Sequence, residues 1–471
     1  MGRLFISATH KSSGKTTISV GLAGALAARG LSVQTFKKGP DYIDPMWLAQ
    51  ASGRSCYNLD FNTQSEAEIL ATFRNRARGA DIALVEGNKG LHDGVDIAGG
   101  DCSAALARVL RTPVVLVLDC MGMTRGIAPL ILGYTAFDQS VSIAGVVLNR
   151  VGGARHEAKL RQALECYTNL PVLGAIGCDD ALAVTERHLG LTTPAEDERR
   201  DQKLVHLRDI IARDMDIDRL IAIATAAGSV AGPSGVEMPT ARDIRIAVAR
   251  DSAFGFYYAD DFEALERAGA ELVFVDLVRD EQLPRVDALF IGGGFPETQA
   301  KALSANRAML AEVRAAIEGG LPTYAECGGL MYLTRSITFR GETHDMVGIV
   351  PADTVVGDRP QGRGLVVLEE TADAPWPFKP ECRSIPAHEF HYGALRDIHP
   401  GCRFAYHVRR GYGIDGERDG ILIRNLVASF SHLRDTSRLH WARRFTAFAR
   451  MVRNGGRHTD AGALQAATQG N

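Results

Sequence analysis

The chain has 471 residues, 46 % of them hydrophobic and 23 % charged, and a formal net charge of -3, a composition suited to a soluble globular protein with two or three cores. So even a charge balance gives nucleic acid or an anionic membrane surface no footing, and no apolar run is long enough to span a bilayer. Eight cysteines lie scattered without a C-x-x-C pair, which fits neither a zinc ribbon nor a disulfide framework and points to the cytoplasm.

Met1 to Thr9 runs into a strand-like stretch with neither a basic n-region nor a long apolar h-region, so no signal peptide is expected. The apolar runs Leu4 to Ala8, Leu31 to Phe36, Ile82 to Val85, Pro113 to Leu118, Ile143 to Leu148 and Val172 to Ile176 alternate with helical patterns. That alternation predicts a parallel sheet covered on both faces, the α/β class. Between the first run and a helix lies Ala8-Thr9-His10-Lys11-Ser12-Ser13-Gly14-Lys15-Thr16-Thr17. Backbone N–H groups of Gly14 to Thr17 and the helix N-terminus suit phosphates, Lys15 neutralises them, and the Thr16 hydroxyl suits Mg²⁺. The first glycine of the usual phosphate-loop pattern is replaced by Thr9.

Two more loops follow strands of the same sheet and therefore emerge at the same carboxyl edge. Lys37-Lys38-Gly39-Pro40-Asp41-Tyr42-Ile43-Asp44-Pro45 brings Asp41 and Asp44, and Glu86-Gly87-Asn88-Lys89-Gly90-Leu91-His92-Asp93-Gly94 brings Glu86 and Asp93. Asp41 and Glu86 are expected to share a magnesium ion with Thr16, since this ion favours one or two carboxylates beside phosphate oxygens. Asn149, at the end of the fifth run, is placed either to read adenine or to cap a turn.

From Thr225 to Arg242 the pattern breaks into Ala-Ala-Gly-Ser, Gly-Pro-Ser-Gly and Met-Pro-Thr, the composition of a linker. The expected division is an ATP-binding synthetase domain over 1–224, a linker over 225–242, a second α/β domain over 243–440, and a helix and tail over 441–471. The second series opens with Ile244 to Val248 and continues through Leu272 to Val275, Ala288 to Ile291, Pro322 to Ala325, Gly364 to Leu368 and Ile421 to Ile423.

Pro322 to Met331 reads as strand, tight turn and helix, with small residues Ala325 and Gly329 flanking Cys327, as a nucleophile on a crowded elbow requires. The helix dipole there favours a thiolate. The N–H of Gly328 faces a developing oxyanion, and the glycine run ending at Gly294 supplies a second donor, centred on Gly293. The other seven cysteines are expected as small apolar core residues. A thiolate nucleophile needs a base; of His388, His391 and His432, the last ends a late strand-like run and is assigned that role.

These motifs resemble those of the cobyrinic acid a,c-diamide synthase family, and the resemblance runs from about Arg3 to His432. It is most specific at residues 37–45, 86–94, 292–297 and 325–333. It implies a dethiobiotin-synthetase-like ATP domain joined to a triad-type glutaminase, with ATP and Mg²⁺ as cofactors. The implied reaction phosphorylates a tetrapyrrole carboxylate with ATP and displaces the phosphate by ammonia from glutamine, at the a and c acetates. It further implies Cys327 as nucleophile, His432 as its base, and Asp41, Glu86, Asp93 and Asp44 on the metal, ATP and substrate side. The expected partners are glutamine and the tetrapyrrole, with no nucleic acid and no membrane; a homodimer stays open. Three departures mark the chain. Arg434 stands two residues after His432, where such glutaminases carry glutamate; Asn88-Lys89 replaces two apolar residues; and Leu59-Asp60-Phe61-Asn62 lacks a nearby tryptophan. The last two resemble relatives acting on sirohaem or nickel-sirohydrochlorin.

Overall fold

The computed structural model describes residues 1–179, 186–187, 190–197, 199–228 and 241–455. The chain forms two compact units, Met1–Gly235 and Val236–Asn471.

The first unit is built on seven strands: β1 (Gly2–Ala8), β2 (Val33–Lys38), β3 (Tyr57–Leu59), β4 (Ile82–Glu86), β5 (Val114–Asp119), β6 (Ile143–Val151) and β7 (Val172–Gly177). Their order is β3-β2-β4-β1-β5-β6-β7, with every pair parallel. β1 is buried along its whole length, as expected of a strand covered on both faces. β3 is an addition to the six expected strands: three residues at a sheet edge are too few for an apolar run to stand out. Helix α1 (Lys15–Ala28) follows β1, and α2 (Ile43–Ser52) follows β2.

The second unit carries a nine-stranded sheet made of β8 (Ile244–Ala249), β9 (Ala270–Val275), β10 (Ala288–Ile291), β11 (Thr323–Glu326), β12 (Gly362–Glu370), β13 (Ile385–His391), β14 (Arg403–Arg410), β15 (Arg418–Ile423) and β16 (Leu426–Ser429). Their order is β9-β8-β10-β11-β16-β15-β14-β12-β13. The half containing β9, β8, β10, β11 and β16 is parallel, and the remainder is antiparallel. Alternation along each strand feeds two cores. Ala247, Leu289, Ile291 and Ala325 join one; Ile246, Val248, Phe290 and Tyr324 join the other, beside Trp441 and Phe445 of the helix Trp441–Arg453.

The helix Ile217–Ala226 carries the first residues of the expected linker, while positions 229–240 and the tail from 456 lie outside the described residues. Among the described residues no helix is long and apolar enough to cross a membrane. The cysteines depart from expectation: Cys56, Cys102 and Cys120 are buried, but Cys166 and Cys178 are exposed and Cys382 and Cys402 are partly so. Cys102 is also more than packing, since its Sγ accepts the Ala105 N–H at 3.4 Å as the cap of the helix Ser103–Leu110.

Candidate active sites

In the first unit the loop after β1 closes over α1. Gly14 sits at φ 88°, a left-handed conformation that favours glycine, and a Cβ there would lie 2.2 Å from Asn149 Nδ2. That amide donates to Ser13 O at 2.9 Å, so Asn149 braces the phosphate loop, in line with its capping alternative. Lys15, Thr16 and Thr17 form the first turn of α1. The loop after β1 thus offers what a phosphate needs: a helix N-terminus and a buried lysine.

Register brings the charged partners to it. Lys37 of β2 pairs with Glu86 of β4, and Lys37 Nζ lies 2.7 Å from Glu86 Oε1 and 2.5 Å from Asp44 Oδ2. Thr16 Oγ1 donates to Glu86 Oε1 at 2.8 Å and approaches Asp44 Oδ2 at 3.2 Å. Burial works against the Lys37 charge, but Asp44 and Glu86 outweigh it and hold its pKa well above the ordinary value. Burial lowers the Lys15 pKa to about 8, helped by repulsion from Lys37.

Of the two aspartates in this motif, Asp44 is the one that hydrogen-bonds to Thr16. The reason is local: α2 starts at Ile43, so Asp44 turns inward in the first helical turn, whereas Asp41 accepts the Asp44 N–H at 3.1 Å and stays 3.8 Å from Lys37 Nζ. Burial and the Asp44 charge push the Asp41 carboxyl up to about 7, while Lys37 overcomes burial to lower that of Asp44. Two carboxylates and a hydroxyl are hard oxygen donors of the kind magnesium takes, and Glu86 Oε2 is buried without a hydrogen-bond partner. These residues fit such an ion, with Lys37 as the cation already balancing them. Asp93 is exposed on the loop after β4, where its Oδ2 accepts the Gly90 N–H at 3.1 Å.

In the second unit Cys327 directly follows β11 at φ 48° and ψ -101°, and its N–H donates to Ser429 O at 2.7 Å. This is a strained conformation for a non-glycine residue, and it places the thiol at the start of the helix Gly328–Leu333. The glycine loop crowds against it: a Cβ on Gly328 would meet Gly294 N at 3.0 Å, and one on Gly293 would meet His432 Cε1 at 2.5 Å. The parallel pairing of Glu326 with Ser429 brings His432, three residues further on, beside Cys327. Their side chains hydrogen-bond. Burial opposes a charge on His432, yet the bonds to Cys327 and Glu326 hold its pKa up at about 10.

Neither competing histidine takes this place. His388 exchanges backbone hydrogen bonds with His432, and burial followed by repulsion from His432 lowers its pKa to about 3. His391 stacks on Phe430 with ring centroids 3.9 Å apart. Two residues that the motif reading passed over stand in these sites. Lys37 was in plain view as the first lysine of Lys-Lys-Gly-Pro-Asp; Glu326 immediately precedes Cys327, and its Oε2 lies 3.2 Å from His432 Nδ1.

Residues 4–191 match the family model described as the CobQ/CobB/MinD/ParA nucleotide binding domain, and residues 245–438 match the CobB/CobQ-like glutamine amidotransferase domain. The chain is 44 % identical over 447 residues to the cobyrinate a,c-diamide synthase of Magnetococcus marinus, covering 93 % of this chain and 95 % of that one. It is 41 % identical to the enzyme of that name from Methanosarcina acetivorans, over 92 % of each chain. The Archaeoglobus fulgidus enzyme of that name is 40 % identical, over 94 % of this chain and 96 % of its own.

Proposed function

The chain belongs to the cobyrinate a,c-diamide synthase family, and we propose that it converts the a and c acetate carboxylates of cobyrinic acid to amides with ATP and glutamine. It is an ATP-dependent amidating ligase with a nucleotide-binding region followed by a glutamine amidotransferase region. The observation that carries the reading is the strained Cys327 at a helix N-terminus, hydrogen-bonded to His432.

On the glutamine side, the Cys327 thiolate attacks the side-chain amide carbon. The N–H groups of Gly328 and Gly293 receive the developing oxyanion. His432 passes a proton to the departing ammonia, leaving a thioester that water hydrolyses to glutamate. On the ATP side, Lys15 and the N–H groups from Gly14 to Thr17 hold the phosphates, and Asn149 keeps the loop in shape. A substrate carboxylate takes the terminal phosphoryl group, and ammonia then displaces phosphate from the acyl phosphate to give the amide. Thr16, Asp44 and Glu86 would hold a magnesium ion, which supplies charge neutralisation for the phosphates when bound. Lys37 keeps those carboxylates together and adds positive charge, Asp41 holds the start of α2, and Asp93 faces the substrate.

The test is direct. Protein given ATP, Mg²⁺, glutamine and cobyrinic acid should yield a product about one mass unit lighter for each carboxylate converted, two in all. A product from sirohaem or nickel-sirohydrochlorin instead would move the reading to another macrocycle, the alternative that Asn88-Lys89 brings in; no mass change with any of them would sink it.

A further inference from the structure

Triad-type glutaminases orient their histidine with a glutamate two residues downstream, a position held here by Arg434. Its buried guanidinium lies 2.6 Å from Asp260 Oδ2 and over the Tyr258 ring at 4.9 Å. It therefore cannot accept the imidazole proton. The carboxylate that does meet the imidazole comes from the opposite direction in sequence.

Glu326 ends β11 one residue before the nucleophile. Its Oε1 accepts the Leu433 N–H at 2.9 Å and the Tyr324 hydroxyl at 2.5 Å, and its Oε2 lies 3.2 Å from His432 Nδ1. Tyr324 and Glu326 are two apart on one strand and so share a face. Tyr324 is itself fixed, stacked on Phe290 at 5.4 Å and flanked by Trp376 and Trp441 at 5.0 and 5.2 Å. Glu326 is buried, so its rotamer is determined by these contacts rather than by water.

We propose that Glu326 is the positioning residue of the glutamine site, replacing the missing downstream glutamate, with Tyr324 holding its carboxylate in place. The inference rests on the proposed roles of Cys327 and His432. With Nδ1–H bound to Glu326, the lone pair of Nε2 is left to face the thiol, and the imidazolium that forms is stabilised by the carboxylate. The titratable groups around the pair are Cys327, His388, Tyr324, Tyr257, Tyr406 and Asp261, packed from the neighbouring strands and loops. The side chains of Cys327 and Glu326 both hydrogen-bond to the imidazole.

Glu326→Gln separates positioning from packing, because an amide oxygen still accepts from Leu433 and Tyr324 while the charge is gone. We expect kcat for glutamine hydrolysis to fall by about 10²–10⁴ with KM within about threefold, as when a histidine loses its orienting carboxylate. The pH midpoint of Cys327 alkylation by iodoacetamide, followed by peptide mass mapping, should rise by about one unit or more, since a weakened imidazolium no longer favours the thiolate. A kcat within about threefold of the unmodified protein and an unmoved midpoint overturn the inference. If Glu326→Gln does not fold, Tyr324→Phe should shift kcat and the alkylation midpoint in the same directions by less, and no shift in either overturns the inference. Unmodified protein without glutamine hydrolysis overturns the proposed function instead, and the alkylation midpoints alone then decide whether Glu326 positions His432.

Discussion

The two sites solve opposite electrostatic problems with the same architecture, the carboxyl edge of a parallel sheet. At the phosphate loop, Asp41, Asp44 and Glu86 gather beside a place suited to an anionic ligand, and the buried Lys37 ammonium keeps them together. At Cys327 a single carboxylate, Glu326, stands behind the imidazole of His432. The first site balances three carboxylates with one buried ammonium; the second sets one carboxylate against one imidazole.

Cys327→Ala draws the sharpest line between them. Glutamine-dependent amidation should fall by about four orders of magnitude or more, while turnover fed with ammonium salts continues; loss of both in a mass-detected assay would show that the sites are not separable. Lys37→Met attacks the other side. It strands two buried carboxylates, a change worth about 3–5 kcal/mol, and should abolish amidation from either nitrogen source while glutamine hydrolysis measured as glutamate release persists. Gly293→Ala is next in size. Its Cβ would press on His432 at 2.5 Å, and moving the imidazole aside by about 1 Å should cost about 10² in glutamine hydrolysis, leaving ammonia-fed turnover intact.

Asn149→Ala removes one brace from the phosphate loop. The expected loss is about 1 kcal/mol, read as a KM for ATP raised by about three- to tenfold. The smallest effect is on stability. His432 has a pKa of about 10 against an ordinary 6.5, so the folded state binds its proton more tightly. That contribution is complete below about pH 6.5 and lost as pH rises through about 10. The unfolding midpoint should therefore drop by a few degrees between pH 7 and 10, and by less in His432→Gln.

The parts of the molecule that sequence makes visible are those written within one short stretch. The phosphate loop and the cysteine elbow are each a strand end, a few small residues and a helix start, and the apolar runs mark most strands of both sheets. What escapes is whatever depends on a partner far along the chain. Lys37 and Glu86 are register neighbours on adjacent strands, and Glu326 meets His432 only because β11 lies beside β16. Asp41 and Asp44 illustrate the finer limit: both lie in the same motif, and the inward one is selected by the residue at which α2 begins. A search for the missing glutamate near His432 fails because the supporting carboxylate belongs to the nucleophile's own strand.

The aromatic surroundings of Tyr324 carry an optical consequence. Two of the three tryptophans in the chain, Trp376 and Trp441, flank the ring whose hydroxyl binds Glu326. One hydroxyl and one carboxylate therefore connect the surroundings of these indoles to His432. Alkylating Cys327 or binding glutamine should change the intrinsic fluorescence of the protein, giving a label-free reporter built into the fold.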